Sequence, residues 1–99
     1  MSVKPIEFDE AAADEIDEAH LWYFKRSARA ADSFLIAVRH AISEIQQRPA
    51  TFATHLHGTQ RYLLQRYPYA VVYRERPDSI QIVAVAHAKR RPGYWKSRV

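Results

Sequence analysis

Cysteine is absent from this 99-residue chain, which excludes both a disulfide framework and thiolate ligands for a metal. Glycine occurs only twice, and no segment approaches the roughly 18 apolar residues that a transmembrane helix requires. Residues 1–8 lack the apolar core of a secretory signal peptide. We therefore expect a soluble, cytoplasmic protein that does not associate with membranes.

Acidic residues are almost missing from the second half of the chain. Residues 49–99 contain nine Lys and Arg but only Glu75 and Asp78, a net charge of +7, whereas residues 1–48 carry six Lys and Arg against nine Asp and Glu, a net charge of −3. Such an asymmetric charge distribution steers binding orientation and association rate. It favours an anionic partner for the basic half, although a basic face that serves only solubility is the simpler alternative.

The composition that remains is sufficient for one folded domain. With 47% hydrophobic residues, the chain supports a single core, so we expect one domain over residues 1–99. Asp9 is placed to cap a helix over residues 10–26, in which Ala12, Ile16 and Ala19 share one apolar face. A second apolar helical pattern follows Ser27 and ends at Pro49. The short connection between the two patterns predicts an antiparallel helical hairpin.

Strand-like patterns flank the helical hairpin. Ile6 and Phe8 alternate with Glu7 behind Pro5, which predicts a short strand at a sheet edge. Residues 50–58 are interpreted as a loop, and from residue 60 onward the apolar period changes to two, with turns near residues 67–68 and 77–79. Three antiparallel strands are predicted there, and the last is apolar on both faces, as an interior strand would be. The predicted order is β-α-α-β-β-β, an α+β fold with the hairpin on one face of a small, mostly antiparallel sheet.

Three segments carry a family resemblance beyond this order of elements. They are IQQRP at residues 45–49, RYPYAVVYR at residues 66–74 and VAHAKRRPGYW at residues 85–95. The chain resembles the RelE/ParE superfamily of toxins from bacterial type II toxin–antitoxin pairs over nearly its whole length. The resemblance implies a cognate antitoxin, encoded beside the toxin, whose C-terminal segment wraps and neutralises it in a toxin–antitoxin hetero-oligomer.

Two activities are implied by this resemblance. RelE-like members are ribosome-dependent endoribonucleases that cleave messenger RNA, and ParE-like members attack DNA gyrase. The RelE-like RNases place arginines at two positions that correspond here to Ala70 and Ala88, and a tyrosine that corresponds to Tyr94. Because alanine can neither transfer a proton nor stabilise a phosphorane, the sequence favours the ParE-like activity, and whether the chain is an enzyme stays open.

An RNase site could still be rebuilt from neighbouring residues. His87 would be the general base, because its unperturbed pKa lies near neutrality. Lys89 or Arg90 would hold the phosphate, Tyr94 would stack a base or donate a proton, and Arg66 is the remaining candidate. Alternatively, His87 only ends a strand and forms a local hydrogen bond.

Basic and aromatic residues of the second half are the candidates for binding a target or nucleic acid. We expect the cations to share one surface, and we expect Trp95 to fold back after the Pro92-Gly93 turn. The candidate binding residues are Arg61, Arg66, Arg74, Lys89, Arg90, Arg91, Tyr94, Trp95 and Lys96.

His55 and His57 lie two residues apart, but a metal site needs more ligands, so neither a metal nor a cofactor is expected.

Overall fold

Two helices pack on one face of a five-stranded sheet in the computed structural model, which describes residues 3–99. The first two residues of the expected domain lie outside this range. The sheet order is β1-β5-β4-β3-β2, and only the β1–β5 pair is parallel among the described strands. The α+β class and the helical hairpin are thereby confirmed. The elements are β1 (Ile6–Phe8), α1 (Glu10–Phe24), α2 (Ala28–Gln47), β2 (Ala53–His55), β3 (Thr59–Leu63), β4 (Tyr69–Glu75) and β5 (Ile80–His87), with 3-10 turns at Leu56–Gly58 and Lys96–Arg98.

The first helix begins after the capping residue that the sequence indicates, Asp9, and the second begins after Ser27, where the sequence indicates a break and the structure shows a cap. The Asp9 carboxylate accepts a hydrogen bond from the Ala11 N–H at 2.9 Å, and the Ser27 hydroxyl accepts one from the Ala30 N–H at 3.2 Å. The predicted end of the first helix at Arg26 is two residues too late, because the N–H groups of Arg26 and Ser27 both donate to the Tyr23 carbonyl and turn the chain into the next cap. Neither helix of residues 3–99 is long and apolar enough to cross a membrane.

The core lies between the helical hairpin and the sheet. Tyr73 is its largest polar member, and its hydroxyl donates to the Pro49 carbonyl at 2.7 Å. Burial, with a smaller contribution from Glu75, raises the pKa of Tyr73 to about 12. Tyr73 is therefore a structural ring rather than a stacking platform. The residues buried in this core include Ala12, Ala19, Phe34, Val38, Ala41, Ile45, Val71, Ile80, Ile82 and Val85.

The opposite face of the sheet is covered by the residues that follow β5, 88–99, which we call the C-terminal segment. Trp95 is only 1% exposed and packs on Val72, Val83 and Ala84, which confirms that it folds back. Gly93 precedes it with φ +78°, and a Cβ at Gly93 would approach Nε2 of His57 to 3.1 Å. Glycine is therefore required at this turn both by its backbone conformation and by the close approach of the histidine.

The loop predicted over residues 50–58 is partly wrong, because it contains strand β2. Ala53 lies opposite Arg61 and His55 lies opposite Thr59 in an antiparallel pair with β3. The chain reverses at His57, whose φ is +57°, and at Gly58, whose φ is +74°. A three-residue strand is too short to show an alternating pattern, and β3 supplies the pairing that creates it.

Candidate binding groove and its basic rim

An open groove of about 370 Å³ lies where β4 begins and β5 ends. Strand register places Leu63, Ala70 and Ala86 side by side on its floor, on the sheet face opposite the helices. Tyr94 and Trp95 of the C-terminal segment form one wall. The floor is therefore apolar, and both alanines at the RelE-type positions, Ala70 on the floor and Ala88 beside it, line the groove.

Three exposed arginines border this groove, and we call Arg61, Arg90 and Arg91 the rim arginines. Arg61 lies on β3 opposite Val72, on the same sheet face as the floor. The Arg90 guanidinium carbon lies 3.8 Å from the centroid of the Tyr94 ring, a cation–π contact. No acidic side chain of residues 3–99 lines this groove, so its own lining is positively charged. Arg90 also borders the neighbouring groove beside α1, which Glu15 and Glu18 line.

The other predicted cations lie elsewhere, and the expectation that all of them share one surface is wrong. Arg74 sits at the far end of β4, where its Nε donates to the Gln81 side chain at 2.6 Å. Arg66 has φ +71° in the β3–β4 turn and borders a groove against α2. Lys89 borders a groove beside α1, and Lys96 is exposed in the C-terminal 3-10 turn. Position along each strand and the direction of each turn separate cations that are close in sequence.

His87 ends β5 with a local hydrogen bond. Its Nδ1 accepts from the backbone N–H of Lys89 at 3.0 Å, and its ring packs edge-on against Tyr69 at 5.0 Å between centroids. Because Nδ1 already accepts a hydrogen bond, the neutral ring carries its proton on Nε2. In this geometry the imidazole has no unoccupied lone pair with which to take a proton from a 2′-hydroxyl.

Tyr94 is held by a buried polar cluster that the sequence did not reveal. Oε2 of Glu15 accepts from the Tyr94 hydroxyl at 2.5 Å, and Oε1 accepts from Nη1 of Arg98 at 2.9 Å. Oε1 also accepts from the Val85 N–H at 3.0 Å. The side chains of Glu15 and Arg98 are only 11% and 18% exposed. Burial, then the hydrogen bond to Glu15, raises the pKa of Tyr94 above its ordinary value, so its proton stays on the hydroxyl and points away from the groove.

Trp95 cannot act as a surface contact in this conformation, because its ring belongs to the core. Of the nine predicted binding residues, the groove brings together the three rim arginines with Tyr94 and Trp95.

Glu15 and Arg98 were not predicted as site residues from the sequence, although one sequence signal pointed to Glu15. Glu15 lies three residues after Ala12 and four before Ala19, so it falls on the buried face of α1, where a carboxylate requires a partner.

Comparison with known proteins agrees with the family resemblance noted in the sequence. The family model for the ParE toxin of the type II toxin–antitoxin system parDE matches residues 6–92. A solved structure from the chromosomal ParDE TA system of P. aeruginosa superposes with a TM-score of 0.65 at 16% identity, covering 88% of this chain and 98% of that chain. At this low identity, the structural similarity shows a shared fold and nothing more. No curated protein sequence matches the chain.

Proposed function

Because the chain belongs to the family of ParE toxins of type II toxin–antitoxin systems, we propose that it arrests growth by binding DNA gyrase through the rim arginines and the apolar groove. In this proposal the chain acts by binding and does not itself cleave nucleic acid. A cognate antitoxin neutralises it. The alternative of a RelE-like endoribonuclease is an outcome of the test below.

The observation that supports binding over cleavage is the chemistry of the groove. Ala70 and Ala88 line it where the RelE-like RNases resembled by the sequence carry arginines. The remaining proton-transfer candidates are engaged: Nδ1 of His87 accepts from a backbone N–H, and the Tyr94 hydroxyl donates to Glu15. General acid–base catalysis contributes about 10²–10⁴-fold to enzymatic rates, and neither group is placed to supply it.

The rim arginines suit a binding role. Guanidinium groups form bidentate hydrogen bonds with carboxylates and phosphates, and they remain charged at any physiological pH. Gyrase presents both kinds of anion, because it is a protein that works on DNA. An apolar floor beneath the cations gives a partner residue a place to insert, and such a central contact surrounded by polar groups is the usual pattern of a protein interface.

The test is to induce the chain in a bacterial host and to follow two readouts in the same cells. Plasmid topology reports gyrase activity, and mapping of messenger RNA ends reports cleavage. We expect plasmids to lose negative supercoils within the period of growth arrest, with messenger RNA intact. New RNA ends at ribosome-positioned codons before any change in topology would overturn the proposal.

A histidine substitution separates the two mechanisms further. His87→Ala should weaken growth arrest by no more than about fivefold, since His87 lines the groove but its side chain is engaged in local contacts with Lys89 and Tyr69. His40→Ala is the matched control, because His40 is an exposed histidine on α2 remote from the groove. Loss of toxicity by orders of magnitude in His87→Ala alone would indicate acid–base catalysis and contradict the binding mechanism.

The antitoxin is proposed to dock at the tip of the helical hairpin. Leu21, Trp22 and Phe24 are large apolar side chains that remain exposed near the end of α1, and such a concentration on a small protein marks an interaction site. Lys25 and Arg29 are exposed beside them. An acid-rich amphipathic segment would cover the apolar side chains and place its carboxylates against these cations.

This docking proposal is tested with the small protein encoded next to the toxin gene. Leu21→Ala with Phe24→Ala should weaken its binding by about tenfold or more, because each buried aliphatic or aromatic contact is worth roughly 1 kcal/mol or more. Ile36→Ala is the control, since Ile36 is also apolar and exposed but lies on α2 at a different groove. Equal affinities for the double variant and the control would place the antitoxin elsewhere.

A further inference from the structure

We propose that Glu15 is a positioning residue for the basic rim. It fixes the Tyr94 ring through a hydrogen bond, and the ring in turn holds the Arg90 guanidinium at the edge of the groove. The chain of contacts joins a buried carboxylate on α1, through the Tyr94 ring, to an exposed cation that borders both the groove beside α1 and the groove described above. The test by gyrase inhibition rests on the proposed function, whereas the test by NMR of the Arg90 side chain does not.

The first step is the anchoring of Glu15. Strand β1 pairs with β5 only as far as Ile82, so the edge of β5 beyond it has no strand partner in the described chain. Glu15 accepts from the Val85 N–H at 3.0 Å, and Nη1 of Arg98 donates to the Val83 carbonyl at 3.2 Å. Arg98 also donates to both Glu15 oxygens, at 2.9 and 3.2 Å. The carboxylate is therefore fixed to the strand backbone and to a guanidinium at once.

The second step is the orientation of Tyr94. Its hydroxyl donates to Oε2 of Glu15 at 2.5 Å, a short charge-assisted hydrogen bond. The ring is half-buried, packs against the cluster that contains Trp95, and also lies 5.3 Å from the guanidinium carbon of Arg98. The hydrogen bond to Glu15 is the one that holds its hydroxyl end. A phenol held at its hydroxyl end has a fixed long axis, and its O–H prefers to lie in the ring plane, so Glu15 biases the face that the ring presents to the groove edge.

The third step is Arg90. Its side chain is exposed, forms no ion pair within residues 3–99, and lies with its guanidinium carbon 3.8 Å from the Tyr94 ring centroid. An unrestrained arginine carries about 2 kcal/mol of side-chain entropy. Stacking on an oriented ring removes part of that entropy before a partner arrives, so the cation is pre-organised at the rim.

The structural test measures the Arg90 side chain by NMR. Protons of a guanidinium stacked on a ring are shifted upfield, and we expect this shift for the Arg90 Nε–H and δ-methylene protons. Tyr94→Phe keeps the ring but removes the hydroxyl, and it should reduce the upfield shift by about half or more. Glu15→Gln should do the same if it folds. Tyr62→Phe is the control, since the Tyr62 hydroxyl has no hydrogen-bond partner within residues 3–99. An unchanged Arg90 shift in Tyr94→Phe would overturn the proposal.

The functional test is a double-mutant cycle on inhibition of purified gyrase. Cation–π contacts at exposed sites are worth about 0.5–1 kcal/mol, so Tyr94→Leu should weaken inhibition about two- to fivefold. In an Arg90→Ala background, Tyr94→Leu should weaken inhibition of gyrase no further, because Tyr94 acts through Arg90. Equal losses in both backgrounds would show a purely structural role for Tyr94 and overturn the proposal. If the unmodified chain does not inhibit gyrase but the NMR shifts respond as expected, the gyrase proposal fails and the positioning role stands.

Discussion

Replacing Glu15 with glutamine should lower stability far more than replacing any exposed acid. Glu15 and Arg98 are 11% and 18% exposed, and the carboxylate accepts hydrogen bonds from Val85, Tyr94 and Arg98. Glutamine has the same shape, but its amide offers only one acceptor oxygen and leaves Arg98 without a counter-charge. Removing one partner of a buried ion pair costs roughly 3–5 kcal/mol, and the residual exposure of Arg98 places our expectation near 3 kcal/mol.

The effect should be large in thermal and in chemical unfolding. A loss of about 3 kcal/mol corresponds to a decrease in melting temperature of roughly 12–24 °C for a domain of this size. The assay is urea unfolding followed by tryptophan fluorescence in a Trp22→Phe background, in which the buried Trp95 is the remaining tryptophan. This probe also reports whether the C-terminal segment detaches before the rest of the chain unfolds.

Glu44→Gln provides the control. Glu44 pairs with Arg48 at 3.0 Å on the surface of α2, and such i,i+4 pairs are worth about 0.3–0.5 kcal/mol. If Glu15→Gln lost no more free energy of unfolding than Glu44→Gln, the buried cluster would not hold the C-terminal segment on the sheet. The role assigned to Glu15 would then be refuted.

Three further predictions concern the core and the caps. Trp95→Ala should cost about 3–5 kcal/mol in urea unfolding because the ring is 1% exposed; a cost below about 1 kcal/mol would contradict its place in the core. The folded-state pKa of Tyr73 is raised from 10 to about 12, so its contribution is complete below pH 10 and is lost as pH rises through 12. The original chain should therefore lose about 2–3 kcal/mol more than Tyr73→Phe over that interval, and parallel pH profiles of unfolding free energy would argue against it. Asp9→Ala should cost about 1 kcal/mol, measured the same way, because it removes the α1 cap; no change would mean that the cap is not stabilising.

The helices were predictable from the sequence because their determinants are local. Asp9 and Ser27 each cap the residues that immediately follow them, and Pro49 stops the second helix, so neighbours in sequence settle both boundaries. The interior position of β5 followed in the same way from a run that is apolar on both faces. Strand β2 could not be predicted, because its three residues gain their conformation from pairing with β3.

The candidate site was predictable only in part. Residue types identified the rim arginines, and the family resemblance identified the alanines at positions 70 and 88, but neither showed which cations lie together. Arg74 and Arg66 were grouped with them by sequence proximity, whereas strand length and turn direction place them apart. The Glu15–Arg98 contact joins residues 83 positions apart. Only the fold brings them together, and the sole sequence signal was an acid on the apolar face of α1.

The most direct measurement is DNA supercoiling by purified gyrase in the presence of charge-matched variants of the chain. One variant replaces the three rim arginines with alanine. The other replaces three exposed arginines outside the groove, Arg29, Arg39 and Arg76, so both lose the same net charge. Binding through the rim predicts that the first variant inhibits about tenfold more weakly or worse, while the second inhibits like the original chain. Equal inhibition by both variants, or cleavage of ribosome-bound messenger RNA with supercoiling unaffected, would contradict binding of gyrase through the rim arginines.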